Sequence, residues 1–197
     1  MKKITIFAIV LAIVIIAGCA GGTYSRLQPI PPPPGPAVMT QGSVPVVAIG
    51  PIGVPGWILR ASIVSETELS AANISSVDMR AGLLSRDIPA VVSINFERLL
   101  APAGIRVIRT SIGTSANYRI AVDINALDVT PSNLLDTRAQ WTLYRADAAD
   151  PVIMREVAFA TPIAGQDDVA VQSAMSRSLA DLTRIITKDF EGFLGIR

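Results

Sequence analysis

The chain has 197 residues, 17 Lys+Arg against 16 Asp+Glu, a formal net charge of +1, no histidine and a single cysteine. A near-neutral balance offers nothing to attract nucleic acid electrostatically. Without histidine the commonest acid–base side chain near neutral pH and the commonest metal ligand are missing, and one cysteine excludes a disulfide within the chain.

Lys2 and Lys3 precede an apolar run from Ile4 to Ile16, and small Ala17 and Gly18 follow it directly before Cys19. A positive start, a short apolar segment and small residues at the cut make a secretory signal over residues 1–18. As a helix the run reaches only roughly 20 Å, against a hydrocarbon core of about 30 Å, so a permanent span is the weaker reading.

The motif Ile16-Ala17-Gly18-Cys19 resembles the bacterial lipobox. That resemblance implies a diacylglycerol on the Cys19 thiol, cleavage before it and acylation, typically with palmitate, of the new amino terminus. Ala20 is not the aspartate read as an inner-membrane retention mark, which implies the outer membrane. The alternatives are a cleaved signal with an incidental cysteine, or a buried core thiol. Several acyl chains anchor stably, because each buried methylene contributes about 0.8 kcal/mol. Cleavage leaves 179 of the 197 residues and, without Lys2 and Lys3, 15 basic against 16 acidic groups, a formal charge of −1. That length suffices for one domain plus a tether.

Residues 19–43 form the expected tether. Pro29, Pro31, Pro32, Pro33, Pro34 and Pro36 hold polyproline II geometry, a semi-rigid spacer off the membrane. A ligand for a proline-reading domain is the alternative.

The domain is expected over residues 44–197. Val44 to Ile49 reads as a strand bounded by Gly50-Pro51, with Pro45 placing it at an edge or delaying its start. After the Pro55-Gly56 turn, Trp57 to Val64 reads as a second strand-like piece. Trp57 is expected in the core, with contact to a partner or lipid as the alternative. Arg60 is expected on a wet strand face, with a partner's carboxylate as the alternative.

Asp87 to Leu100 reads as a helix capped by Asp87, with Pro89 in its first turn and Ile88, Val92, Phe96, Leu99 and Leu100 on one side. Gly104 closes it, and Ile105 to Arg109 starts the next strand. Strands follow at Tyr118 to Ala126 and Ala139 to Tyr144, joined by a turn near Thr130 to Asn133. Asp147 to Pro151 makes a hairpin into a strand carrying Ile153, Val157 and Phe159. Asp167 and Asp168 open a last helix, ending near Gly192, whose apolar side carries Val171, Met175, Leu179, Leu182, Ile186 and Phe193. This order implies an α+β two-layer sandwich, a mainly antiparallel sheet with two helices on one face.

Pro55, Leu59, Arg60, Ile63 and Val64, behind an N-terminal lipobox and a first strand ending near Gly-Pro, resemble a motif of the ABC-type transport auxiliary lipoproteins, the PqiC family. Arg80, Ala81 and Leu83 or Leu84 echo a second family stretch, whose Trp-x-Glu-Pro core is absent. The chain is thus similar to a divergent member. The resemblance implies a non-enzymatic lipoprotein, partner of an ABC or MCE-type phospholipid transporter across the periplasm. An envelope-assembly or cell-wall synthesis regulator is the alternative, and an exposed strand edge would permit a homo-oligomer.

Chemistry-bearing motifs are scarce: the chain has no Gly-x-Ser-x-Gly elbow, no phosphate-cradling glycine loop and no Cys/His metal spacing. No cofactor, metal or catalytic residue is expected. Asp147 with Asp150, and Asp167 with Asp168, are better explained as turn and helix-start residues than as paired catalytic carboxylates. A lipid-anchored hydrolase would need a base other than histidine.

Overall fold

The computed structural model describes residues 26–34, 44–60, 76–109, 116–148 and 150–196. The signal, the cleavage motif Ile16, Ala17 and Gly18, and Cys19 lie outside them, as do Ile63 and Val64.

Strand β1 (Val46–Gly53) begins immediately after Pro45, which lacks the N–H a ladder needs. Of the two outcomes expected from Pro45, an edge position or a delayed start, the strand shows the delayed start, and β1 is interior. It runs parallel to β2 (Arg106–Arg109) on one side and to β3 (Tyr118–Val129) on the other. Burial explains the difference, because Val46 to Ile49 are all enclosed and an edge would leave that apolar run wet. Asn117 starts the pairing: its side-chain oxygen accepts from the Val46 N–H (2.8 Å), while its own N–H donates to the Val46 carbonyl (2.8 Å). The strand continues beyond Gly50, at φ 126°, through an irregularity between Ile49 and Ile52. Only glycine takes that φ without strain.

The piece expected as a second strand is helical over residues 56–60. The Ile58 and Leu59 N–H groups donate to the Pro55 carbonyl (2.9 and 3.2 Å). Pro55 presets a φ suited to starting a helix, and a short apolar run carries too little periodicity to tell strand from helix.

Helix α1 (Ser76–Leu100) is longer than expected, so Asp87 is an interior residue instead of its cap, and Pro89 lies mid-helix. An interior proline costs about 3 kcal/mol. Burial of Ile88, Val91, Val92, Phe96 and Leu100, at about 2 kcal/mol each, outweighs it. A 3-10 turn (Ala101–Ala103) closes on Gly104 at φ 71°, and β2 follows as anticipated.

Strands β3, β4 (Leu134–Arg145) and β5 (Pro151–Pro162) form an antiparallel meander. Ile120, Val122 and Ile124 of β3 and Leu135, Ala139, Trp141 and Leu143 of β4 are buried on one face, while Arg119, Asp123 and Arg138 are exposed on the other. The sheet order is β2-β1-β3-β4-β5. Helix α2 (Asp168–Leu194) is capped by Asp167, whose Oδ1 accepts from the Ala170 N–H at 2.8 Å, and ends at Gly195 instead of near Gly192. Phe193, expected on the apolar side, lies at its exposed margin, edge-on to Tyr118 (5.9 Å between centroids), while Phe190 is buried one turn earlier. The architecture is the α+β two-layer sandwich, with a mixed sheet because β1 pairs parallel on both sides.

Candidate functional site

The segment read as a spacer behaves differently where it is described. Residues 26–30 lie across both helices as an extended strap. Leu27 is 4% exposed and belongs to the same core as Ile88, Val91 and Phe96. The Gln28 N–H donates to Ser176 Oγ of α2 (3.0 Å), and the Ile30 N–H donates to Asn95 Oδ1 of α1 (2.8 Å). Arg98 Nη1 donates to the Ile30 carbonyl. Arg26 makes a long ion pair with Asp87 (3.7 Å), worth little at such exposure.

The physical reason is local. An extended segment has no partners of its own for its N–H and C=O groups, and burial demands that they be found. Asn95, wholly enclosed on α1, and Ser176 on α2 supply them. Asn95 Nδ2 and Gln172 Oε1 are buried without a hydrogen-bond partner. The arrangement grips main chain rather than side chain, except at Leu27. Sequence reasoning missed it, although Leu27 and Ile30 are apolar residues set directly beside prolines and polar groups.

Trp57 and Arg60 share the helical turn at 56–60, and both are exposed. Trp57, at 37% exposure, is not the core residue expected; Ile58, fully enclosed, takes that place because a helical turn rotates Trp57 outward. Arg60 is exposed as anticipated, though on a helical turn instead of a strand face.

Two of the acidic residues weighed for chemistry have local roles. Asp167 caps α2 and Asp147 pairs with Arg145 (3.1 Å). Elsewhere Arg155 of β5 reaches Asp189 of α2 (2.9 Å). Among the described residues no group of His, Cys, Asp and Glu comes together that could hold a metal ion, and no helix is long and apolar enough to cross a membrane.

The fold has relatives among solved structures. An uncharacterised protein aligns over 74% of this chain and 92% of its own, at 10% identity and TM-score 0.52. A hypothetical protein from Chlamydia trachomatis aligns over 76% and 97%, at 16% identity and TM-score 0.50. A protein from Xanthomonas campestris aligns over 82% and 89%, at 16% identity and TM-score 0.47. At such identities the likeness concerns the fold alone. No curated protein matches the sequence. The family model described as "ABC-type transport auxiliary lipoprotein component" matches residues 27–187, a span that begins at the buried strap residue Leu27 and takes in both layers of the sandwich. By that match the chain belongs to the ABC-type transport auxiliary lipoprotein family.

Proposed function

We propose that this protein is a non-enzymatic outer-membrane lipoprotein, anchored through acylated Cys19 at the periplasmic face. In this reading it serves as an auxiliary component of an ABC/MCE-type phospholipid transport system. The observation that carries the reading is the family match over residues 27–187. Three features support it. The lipobox-like Ile16-Ala17-Gly18-Cys19 precedes the domain by few residues. Of the paired carboxylates in the sequence, Asp167 caps a helix and Asp147 forms an ion pair. The sheet's outer face, left uncovered by the helices, exposes Arg119, Asp123, Arg138 and Glu156 beside Val152 and Met154, a mixed surface open to a partner protein. Anchoring contributes by confinement: a module held at one surface meets a partner in the same space at a high effective concentration.

The test is affinity purification of the full-length, lipidated chain after mild cross-linking in its native envelope. Enrichment of an ABC permease, its ATPase or an MCE-domain protein is expected, and it should fall at least about tenfold with Cys19→Ala. Enrichment of cell-wall synthases or assembly factors instead, with no transporter subunit, contradicts the proposal.

A further inference from the structure

We infer that a second copy of this chain binds along the β5 edge, with β5 antiparallel to β5 about Val157. The sheet then continues across a two-fold axis, and the two α2 helices lie side by side. The pairing does not depend on the anchor at Cys19 and leaves the sheet's outer face free.

β5 is the last strand of the sheet, and among the described residues nothing pairs with its far side. Every second residue of such a strand turns its N–H and C=O away from β4, a template for one more strand. Pairing with β4 is unbroken from Ile153 to Pro162, so this stretch has no bulge and no interior proline. At its end the Pro162 carbonyl already accepts from Arg177 Nη2 (2.7 Å), which leaves Ile153 to Thr161 open. Within it Ile153, Val157 and Phe159 pack on the core yet remain half-exposed, and a further strand completes their cover.

In an antiparallel pair built on a two-fold axis, opposed residues share a face, so the axis passes through a residue. Arg155 or Glu156 on the axis would set like charges directly opposite, which destabilises. Val157 is the midpoint of Ile153 to Thr161. About it Glu156 meets Ala158, Met154 meets Ala160 and Arg155 meets Phe159 of the second copy. Large side chains face small ones, a guanidinium faces a ring, and no charge faces its like.

The helix carries the same axis. Ser178 of α2 bonds Thr137, which is paired with Phe159, and Asp189 bonds Arg155. Val157 is midway between Phe159 and Arg155, and the midpoint of Ser178 and Asp189 falls at Thr183 and Arg184, next to Ile185. At about 1.5 Å per residue, Ile185 is level with Val157 to within about 2 Å. Seven residues after Ser178 and four before Asp189, it shares their side of α2, yet it is 37% exposed because β5 has no neighbour. Asp181, which also holds Arg184, lies four residues before Ile185, and Lys188 lies three after; both are exposed. Rotation about the axis brings Ile185 to Ile185, and Asp181 of each copy to Lys188 of the other. This patch is complementary to itself, which identifies the occupant as a copy of this chain. With strands about 4.8 Å apart, two helices that each straddle β4 and β5 come about 10 Å from one another, the distance at which helices pack.

The experiment uses the full-length protein extracted from its envelope in mild detergent, with micelles in large excess over protein. Sedimentation velocity should show a concentration-dependent dimer. Ile185→Glu, at an exposed site that leaves thermal unfolding unchanged, should raise its dissociation constant at least about tenfold. Asp181→Lys should weaken it about threefold or more, and adding Lys188→Asp should restore the parent value. Oxidation of Val157→Cys should give a covalent dimer well above the parent, whose one thiol is at Cys19, while Val152→Cys stays at the parent level. Ile185→Cys reads the same axis from the helix and covers the case in which Val157→Cys disturbs the sheet. A chain that stays monomeric up to about 0.1 mM, bare or with a different protein's strand on β5, overturns the inference. So does a dimer that Ile185→Glu leaves intact and in which Val157→Cys and Ile185→Cys stay reduced.

Discussion

Asn95 shows how a single buried polar side chain positions a segment far away in sequence. It interrupts the apolar side of α1, and its oxygen receives the Ile30 N–H at 2.8 Å. Truncation leaves that N–H without a partner while also removing an unsatisfied Nδ2, so the penalties partly cancel. Asn95→Ala should lower stability by only about 1 kcal/mol, whereas Leu27→Ala, which removes core volume, should cost about 2–3 kcal/mol. Both should speed amide exchange at Gln28 and Ile30 before the sheet exchanges; protection unchanged at those amides would contradict a docked strap. A second polar pair lies within the core, where Thr137 Oγ1 of β4 and Ser178 Oγ of α2 meet at 2.5 Å, both fully enclosed. Thr137→Val strands the Ser178 hydroxyl and should cost about 1–3 kcal/mol. Adding Ser178→Ala should return much of that loss in urea unfolding; additive losses from the two substitutions would show the hydroxyls uncoupled.

At the scale of elements, the readable parts of the sequence were those with sustained periodicity. The alternation in β3 and β4 and the apolar side of α2 predicted buried Ile120, Val122, Trp141, Leu143, Leu179 and Ile186, and all are enclosed. Gly104 marked the end of the first helical unit because its φ of 71° excludes most other residues. Illegible were features fixed by tertiary context. Asp87 has the chemistry of a cap, yet the helix runs through it because the burial that follows outweighs the penalty of Pro89. Residues 56–60 were ambiguous because five residues cannot display a period of 3.6. That correction has a direct check. Ile58→Ala should destabilise by about 2–4 kcal/mol, and Trp57→Ala by less than about 1 kcal/mol, the reverse of what a core tryptophan implies. Thermal unfolding of the two variants decides it; a larger loss at Trp57 would restore the strand reading. The strap was hidden for another reason. Proline content signals extended backbone but says nothing of what that backbone lies upon, and only Leu27 hinted at a core contact.

For the whole molecule, residues 26–30, expected as part of a semi-rigid spacer, lie against both helices and bury Leu27 in the core of the domain. The fold class and family were legible before the structure, through the layer order and the motif around Leu59 and Arg60. The mixed pairing around β1 was not, since parallel neighbours contributed by distant residues leave no local mark. Strand β5, twelve residues long, closes one side of the sheet as an edge, bounded by Pro151 and Pro162 and carrying Arg155 and Glu156. Prolines and charges are common means of blunting an edge against indiscriminate pairing. The proposed function turns on acylation of Cys19 and on cleavage directly before it. Intact-mass spectrometry of protein extracted from the outer-membrane fraction measures it directly. The predicted result is a polypeptide starting at Cys19 and carrying a diacylglycerol plus an amide-linked acyl chain; an unmodified residue 19, or a mature terminus beyond it, would contradict the account.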